Sequence, residues 1–331
     1  MIIQAFRYEF NKLGIKKVLL LFTIIAFLII VFFALIPNNR ENSYYDDLVE
    51  WSNSIKLLGR KNMNLSPNQK VILDKYNKII SYKISLLEQY ERSEINNNYN
   101  VCSQVEEIKT FYSIIQLLLA VFLAVILIGR EQSNKEIYQG LIMPWKRSSI
   151  YIAKLLLATF IMLVFALLCF GVSFLLSRFY AGRQVLIDYV FISNQGQCSV
   201  MGFGLYYFIQ FLLAIIPALS IYVFLAMLLV ILKKNFLSII VLLLSLVGFQ
   251  FFSYIGEYMG YFWYNLFPIK SFRIEEYIFK GTIINEVGTF NDQLKFVVAH
   301  QFDVFAIIFY DTYILFMLLC LGIDRFKVKD Y

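Results

Sequence analysis

The sequence is poor in the residues that build most metal centres and many catalytic sites. One histidine and four cysteines occur in 331 residues, and the cysteines are scattered without any CxxC pair. Zinc and iron–sulfur centres need clustered thiolates or imidazoles, so the sequence excludes both classes. The low cysteine content also excludes a small secreted module held together by disulfides.

A phosphate-binding loop is also missing. None of the 15 glycines is followed by lysine, so the chain has no GxxxxGK[ST] motif and cannot itself hold ATP in that way. His300 stands beside Gln301, and Glu275–Glu276 is followed by Lys280 where glutamate-pair membrane proteases carry arginine. We therefore expect no catalytic residue, metal or cofactor in this chain, and a membrane enzyme ranks third among the functions considered.

Charged residues are scarce, at 16%, whereas hydrophobic residues make up 60% of the chain. This balance is too apolar for a water-soluble fold and predicts an integral membrane protein. A helix needs about 20 apolar residues to cross a hydrocarbon core of roughly 30 Å. The sequence therefore predicts an all-α protein with six spans, at residues 17–36, 111–128, 150–176, 205–232, 236–255 and 303–323.

The basic residues predict the orientation of these spans. The net charge of +7 reflects lysines and arginines in four places: the N-terminal segment, the 129–149 loop, Lys233–Lys234 and the 324–331 tail. By the positive-inside rule these segments face the cytoplasm, so both termini are expected there. Because topology explains the positive charge, no nucleic-acid partner is expected.

Residues 1–16 are predicted to form an amphipathic helix in the inner membrane interface. Ile2, Phe6, Phe10 and Leu13 recur at helical spacing, and Glu9 stands at the edge of this apolar stripe.

The 37–110 segment is predicted to form an extracellular hairpin of two helices. The second helix begins at Pro67 after a capping box and is expected to run to Glu94, before a break at Asn96–Asn98. The hairpin either shields the spans or captures a substrate or partner. Residues 177–204 are an extracellular loop, and the aromatic 256–302 region before the last span is expected to be re-entrant.

A few polar residues fall inside the predicted spans. Asp311, Gln116 and Gln250 are candidates for a transport pathway, since a carboxylate within the bilayer needs a partner or a wet cavity. Hydrogen bonds between helices are an equally good explanation for them. Lys154 is expected to extend to the inner headgroups, and Pro217 to kink the fourth span.

Two cysteines, Cys102 and Cys198, fall in the predicted outer segments, where the compartment is oxidising. They either form a disulfide or remain two free thiols, because the count of cysteines does not give geometry. Cys169 and Cys320 fall inside apolar spans and are expected to stay reduced.

The loop between the second and third spans carries the most informative pattern. Ser133 and Glu136 form a capping box, Ile137 and Leu141 lie on one helical face, and Pro144 ends the pattern. This predicts a short cytoplasmic helix that a cytosolic partner can push; a plain connecting loop is the alternative.

At this loop the sequence resembles the permease subunits of ABC-2 type exporters. A glutamate, an apolar helix, a proline, an arginine and a lysine match that family in order and spacing, while Lys135–Glu136 replaces its usual Gly-Thr. The matching residues are Glu131, Ile137, Leu141, Pro144, Arg147 and Lys154.

The resemblance implies a subunit of an exporter in a bacterial plasma membrane. It would pair with a second permease copy or paralogue and with a separate ATP-binding subunit that holds ATP and Mg and carries out hydrolysis. The implied cargo is a peptide, a drug, an antimicrobial or a lipid-like molecule, and the alternative is an antimicrobial sensor or immunity component without transport. The implied coupling residues are Glu131, Ser133, Glu136, Ile137, Leu141, Pro144 and Arg147.

Overall fold

The structure, a computed structural model, is mostly helical in the part of the chain that it describes. That part comprises residues 2–12, 67–129, 147–181, 189–192 and 198–259, with short helical pieces at 24, 28, 45–46, 48–50, 52–53, 56, 316–317 and 319–323.

Seven long helices and two short strands follow one another along these residues. They are α1 (Ile2–Lys12), α2 (Pro67–Leu87), α3 (Arg92–Ala124, followed by a π-helical turn at Val125–Gly129), α4 (Arg147–Ala181), β1 (Tyr189–Ile192), β2 (Cys198–Met201), α5 (Phe203–Leu213), α6 (Ile215–Leu232) and α7 (Asn235–Met259).

Within the described residues, three helical stretches are long and apolar enough to cross a membrane, as expected of a membrane protein. They are Ile108–Gly129, Ser148–Leu175 and Phe203–Leu232, and they overlap the second, third and fourth predicted spans. The first two also carry exposed apolar side chains at helical spacing, which suits contact with lipid. Residues of this kind on α3 are Phe111, Ile114, Leu118 and Phe122.

Small residues bring the helices of the core together. Lipid is as apolar as a leucine side chain, so close packing rather than a hydrophobic effect must join helices within a bilayer. Fully buried alanines occur on α3, α4 and α6, which pack against one another. These alanines are Ala120, Ala124, Ala153, Ala158, Ala166, Ala218 and Ala226.

The second helix of the predicted hairpin ends earlier than the sequence predicted. α2 begins at Pro67 as expected, but it ends at Leu87, and α3 runs through Asn96–Asn98 without a break. Leu87 and Ile95 pack together with Leu48 in a small buried cluster. This tertiary contact outweighs the weak helix propensity of asparagine, which costs less than about 1 kcal/mol per residue.

A two-stranded antiparallel ribbon follows α4, and the all-α expectation did not include it. Tyr189 pairs with Met201 and Ile192 with Cys198. An isolated two-stranded ribbon has marginal stability. Here both strands pack against α2, which supports the ribbon and attaches it to the helical hairpin.

The fourth predicted span is interrupted near its middle. α5 ends at Leu213, Ala214 forms a turn, and α6 begins at Ile215. Proline lacks an N–H group and its ring clashes with the carbonyl four residues earlier, which for Pro217 is that of Leu213. The helix is therefore interrupted just before the proline, while the kink itself stays a prediction.

A two-residue turn, Lys233–Lys234, connects α6 to α7. Lys233 has φ 57° and ψ 12°, the left-handed conformation, and its N–H bonds to the Leu229 carbonyl at 3.1 Å. Lys233 is the only non-glycine residue with positive φ in the described ranges. Glycine usually occupies this position after a helix, since a Cβ is strained there.

We therefore predict that Lys233→Gly stabilises the protein relative to Lys234→Gly. The two variants remove the same charge from the same turn, but only the first relieves left-handed strain, which costs about 1 kcal/mol or slightly more. Thermal unfolding of the purified chain in detergent measures the difference. Equal or lower stability of the Lys233→Gly variant would contradict this account of the turn.

Candidate functional site

Most of the residues implicated in ATPase coupling lie outside the described part of the chain, as does Asp311. The structure describes the two helices that flank the coupling segment. The π-turn before the segment ends at Gly129, and α4 begins after it at Arg147. The coupling residues outside the described ranges are Glu131, Ser133, Glu136, Ile137, Leu141 and Pro144.

Lys154 is buried between helices beside these two ends. It lies about two turns into α4, and only 1% of its side-chain surface is exposed. Its Nζ donates a hydrogen bond of 2.6 Å to the backbone carbonyl of Leu127 in the π-turn. The expectation that Lys154 extends to the headgroups is therefore wrong, because a main-chain acceptor on the neighbouring helix is within reach.

The Leu127 carbonyl that accepts this bond lies within the π-turn. In an α-helix a carbonyl accepts from the N–H four residues later, whereas a π-turn widens the ring to five. Carbonyls in such a turn are displaced from the regular hydrogen-bond ladder, and a buried carbonyl needs a donor. Leu127, Ile128 and Gly129 are all buried, and the Lys154 ammonium supplies a donor to the Leu127 carbonyl.

Glu9 provides the opposite charge. Its Oε1 lies 4.0 Å from Lys154 Nζ, and 5% of its side-chain surface is exposed. A buried carboxylate next to a buried ammonium avoids the penalty of an isolated charge, and removal of either partner from such a pair typically costs about 3–5 kcal/mol. Glu9 is therefore in the buried face of α1, rather than at the edge of the apolar stripe as the sequence suggested.

Aromatic contacts hold α1 against α4 beside this ion pair. Phe6 and Phe10 contact each other at 6.1 Å between ring centroids, and both contact Phe160 of α4, at 6.3 and 6.4 Å. Ala5 is buried in the same interface, whereas Ile3 is 81% exposed. The packed face of α1 is thus centred on Ala5 and Glu9.

Two glycines allow further segments to approach this region. A Cβ at residue 129 would lie 2.5 Å from Oδ1 of Asn235, the first residue of α7, and a Cβ at Gly322 would lie 2.5 Å from the Tyr151 hydroxyl. α6 also packs against the π-turn. We call the group formed by Glu9, Lys154, the Leu127 carbonyl, Gly129 and Asn235 the polar junction.

Gln116 makes a second polar contact between α3 and α4, deeper in the bundle. Its Nε2 donates to the Met162 carbonyl at 3.2 Å, and the residue is fully buried. Its Oε1 has no hydrogen-bond partner within the part of the chain that the structure describes. A role as a hydrogen bond between helices is therefore observed for Gln116, while its part in transport remains a prediction, as it does for Gln250, whose side chain is not described.

We predict that Gln116→Met changes the stability of the protein by less than about 1 kcal/mol. Hydrogen bonds between helices in membranes average about 0.6 kcal/mol, and the substitution also removes a buried amide oxygen that lacks a partner. Ala120→Met, one turn later, should destabilise by about 1–3 kcal/mol, because it overfills a close helix contact. Thermal unfolding of both variants tests this, and a larger loss for Gln116→Met than for Ala120→Met would contradict it.

Cys198 is a free thiol in the structure, and the side chain of Cys102 lies outside what the structure describes, so the disulfide between them stays a prediction. The thiol lies 3.8 Å from the Lys78 carbonyl oxygen on α2. The ribbon that carries Cys198 packs on α2, whereas Cys102 belongs to α3.

We predict that Cys198 reacts with a maleimide in the folded protein without prior reduction. Its side chain is partly accessible, whereas Cys169 is 3% exposed within the helix bundle and should stay unmodified until the protein unfolds. Mass spectrometry of the labelled peptides measures both sites. Recovery of a peptide pair linked through Cys102 and Cys198 would contradict the prediction.

No protein-family model, curated protein or solved structure matches the chain. Within the described ranges, no group of three or more histidine, cysteine, aspartate or glutamate residues is arranged to hold a metal. The polar junction is thus the most distinctive chemical feature of the described residues. Sequence reasoning missed it, although its signal was present as an acid in an amphipathic helix and a lysine inside an apolar segment.

Proposed function

We propose that the chain is the membrane-spanning permease subunit of an ATP-driven exporter of the ABC-2 type. The observation that carries the proposal is the hydrogen bond from Lys154 to the Leu127 carbonyl, which joins the helices on both sides of the 130–146 segment. Lys154 is also the last residue of the pattern on which the resemblance to this family depends.

A partner that pushes on a connecting segment can move the spans only if the segment is rigidly attached to them. Leu127 lies just before Gly129, where the segment begins, and Lys154 lies about two turns after Arg147, where α4 begins. The bond between them ties α3 and α4 together close to the segment. A displacement of residues 130–146 would therefore reach both helices instead of being lost by separation of their ends.

The proposed architecture has six spans, with both termini in the cytoplasm of a bacterium. The remaining spans comprise residues 17–36, 236–255 and 303–323, and a re-entrant region precedes the last. The apolar Asn235–Gly248 part of α7 supports the fifth span, and its exposed Leu243, Leu244 and Val247 suit a lipid or subunit contact.

The partners in this proposal are a second permease copy or paralogue and an ATP-binding subunit. ATP and Mg belong to the ATP-binding subunit, and this chain contributes no catalytic residue. The cargo is an amphipathic or hydrophobic molecule such as a peptide, an antimicrobial or a lipid. Cargo-stimulated ATP turnover without flux into vesicles would instead favour the sensor or immunity function.

The direct test is co-expression of the chain with ATP-binding subunits encoded next to its gene. The proposal expects a stable complex whose ATPase activity depends on the membrane subunit. If no ATP-binding subunit copurifies with the unmodified chain, the proposal fails.

We predict that Ile137→Asp prevents this complex from forming or abolishes its stimulated ATP turnover, while insertion into the membrane is unchanged. A charge forced into an apolar groove costs several kcal/mol unless it is paired. Gln139→Asp is the matched control, because residue 139 falls on the opposite side of the predicted helix from Ile137 and Leu141. Unchanged copurification and turnover for Ile137→Asp would rule out this contact.

A further inference from the structure

The polar junction connects three elements that are distant in sequence. Lys154 belongs to α4, Glu9 to α1 and Leu127 to the π-turn after α3, and the lysine side chain contacts the other two. An ammonium group has three donors, so one side chain can serve both partners at once. The junction thus links the N-terminal helix to the start of the 130–146 segment.

Stability alone does not explain a pair of charges at this place. Desolvation of two buried charges offsets much of their attraction, and apolar residues of similar volume often replace such pairs without loss. The aromatic contacts of Phe6 and Phe10 with Phe160 already hold α1 on α4. What the charged pair adds is a fixed position for Lys154 Nζ and hence a donor at one particular carbonyl.

The position of that donor controls local helix geometry. A π-turn contains one more residue per hydrogen-bonded ring than an α-turn. Conversion of the turn to regular α-helix would rotate everything that follows by about 100° and shift it by about 1.5 Å along the axis. The turn is the last part of α3 that the structure describes, so its geometry sets the direction of the chain at Gly129.

We propose that Lys154, oriented by Glu9, is a positioning residue that stabilises the π-turn and thereby fixes the geometry with which α3 reaches Gly129. Through Glu9, α1 then helps to set the geometry of the π-turn that precedes the proposed coupling segment, in addition to packing against α4. The effect of Lys154 on the π-turn needs no partner protein, whereas its consequence for ATP-driven export rests on the proposed function above.

Hydrogen–deuterium exchange on the purified full-length chain in lipid nanodiscs tests the local effect without any partner. In Lys154→Met, amides of the π-turn should exchange about tenfold faster or more, since a hydrogen bond from a charged donor is lost. Lys154→Arg keeps the donor and the charge and should exchange as the unmodified protein does. Arg7→Met is the control, because it removes a positive charge from the exposed side of α1.

Removal of both charges separates the loss of the donor from the cost of an unpaired charge. Glu9→Met combined with Lys154→Met leaves no unpaired carboxylate, and neither new side chain can donate to the Leu127 carbonyl. We expect fast exchange at the π-turn to persist in this double variant. Restored protection would overturn the proposal, as would unchanged exchange in Lys154→Met.

Glu9→Gln keeps the test decisive if Lys154→Met fails to fold. This variant retains Lys154 and the shape of residue 9 but removes the charge that orients the ammonium. We expect faster exchange at the π-turn with α1 still protected, and unchanged exchange at the π-turn would overturn the role of Glu9.

The complex with an ATP-binding subunit gives the second readout. Lys154→Met should lower stimulated ATP turnover by about tenfold while copurification is retained, and Lys154→Arg should restore turnover. Fast exchange at the π-turn with normal turnover would leave the positioning of the turn intact and contradict its link to export. Failure of the unmodified chain to bind any ATP-binding subunit would contradict the proposed function, whereas the exchange result would stand.

Discussion

The relative positions of α1, α3 and α4 depend on the two interactions that satisfy the buried Lys154 ammonium, its hydrogen bond and its ion pair. A charge inside a helix bundle needs both a counter-charge and hydrogen-bond acceptors, because neither water nor lipid headgroups can reach it. Glu9 supplies the first and the Leu127 carbonyl supplies the second. Since these partners come from α1 and from the π-turn after α3, satisfying one side chain fixes the relative positions of three helices.

The rest of the bundle is joined by contacts that are individually weak. Buried alanines allow α3, α4 and α6 to approach closely, and bonds from polar side chains to main-chain carbonyls set their registers. Tyr112 donates to the Phe211 carbonyl at 3.0 Å, and its ring packs on Phe211 at 4.7 Å between centroids. Such contacts specify one packing arrangement without making it very stable, and this leaves the strongest constraint at the polar junction.

The sequence predicted the features that depend on local composition. The apolar stretches within α3, α4 and α5–α6 follow from length and hydropathy, and the start of α2 at Pro67 and the interruption before Pro217 follow from the chemistry of proline. The features that it missed depend on partners far away in sequence. The helical course through Asn96–Asn98, the ribbon against α2 and the Glu9–Lys154 pair are each decided by tertiary contacts, which a local pattern does not contain.

The two polar contacts between α3 and α4 determine how this pair of helices can respond to a force. Gln116 bonds to the Met162 carbonyl and Lys154 to the Leu127 carbonyl, so each helix donates once to the backbone of the other. From residue 116 to residue 127 the rise along α3 is about 16 Å. Two helices bonded at two separated levels cannot slide or rotate independently without breaking a buried hydrogen bond. Any displacement applied to the ends at Gly129 and Arg147 therefore moves α3 and α4 as one body, and the Glu9 contact extends that body to α1.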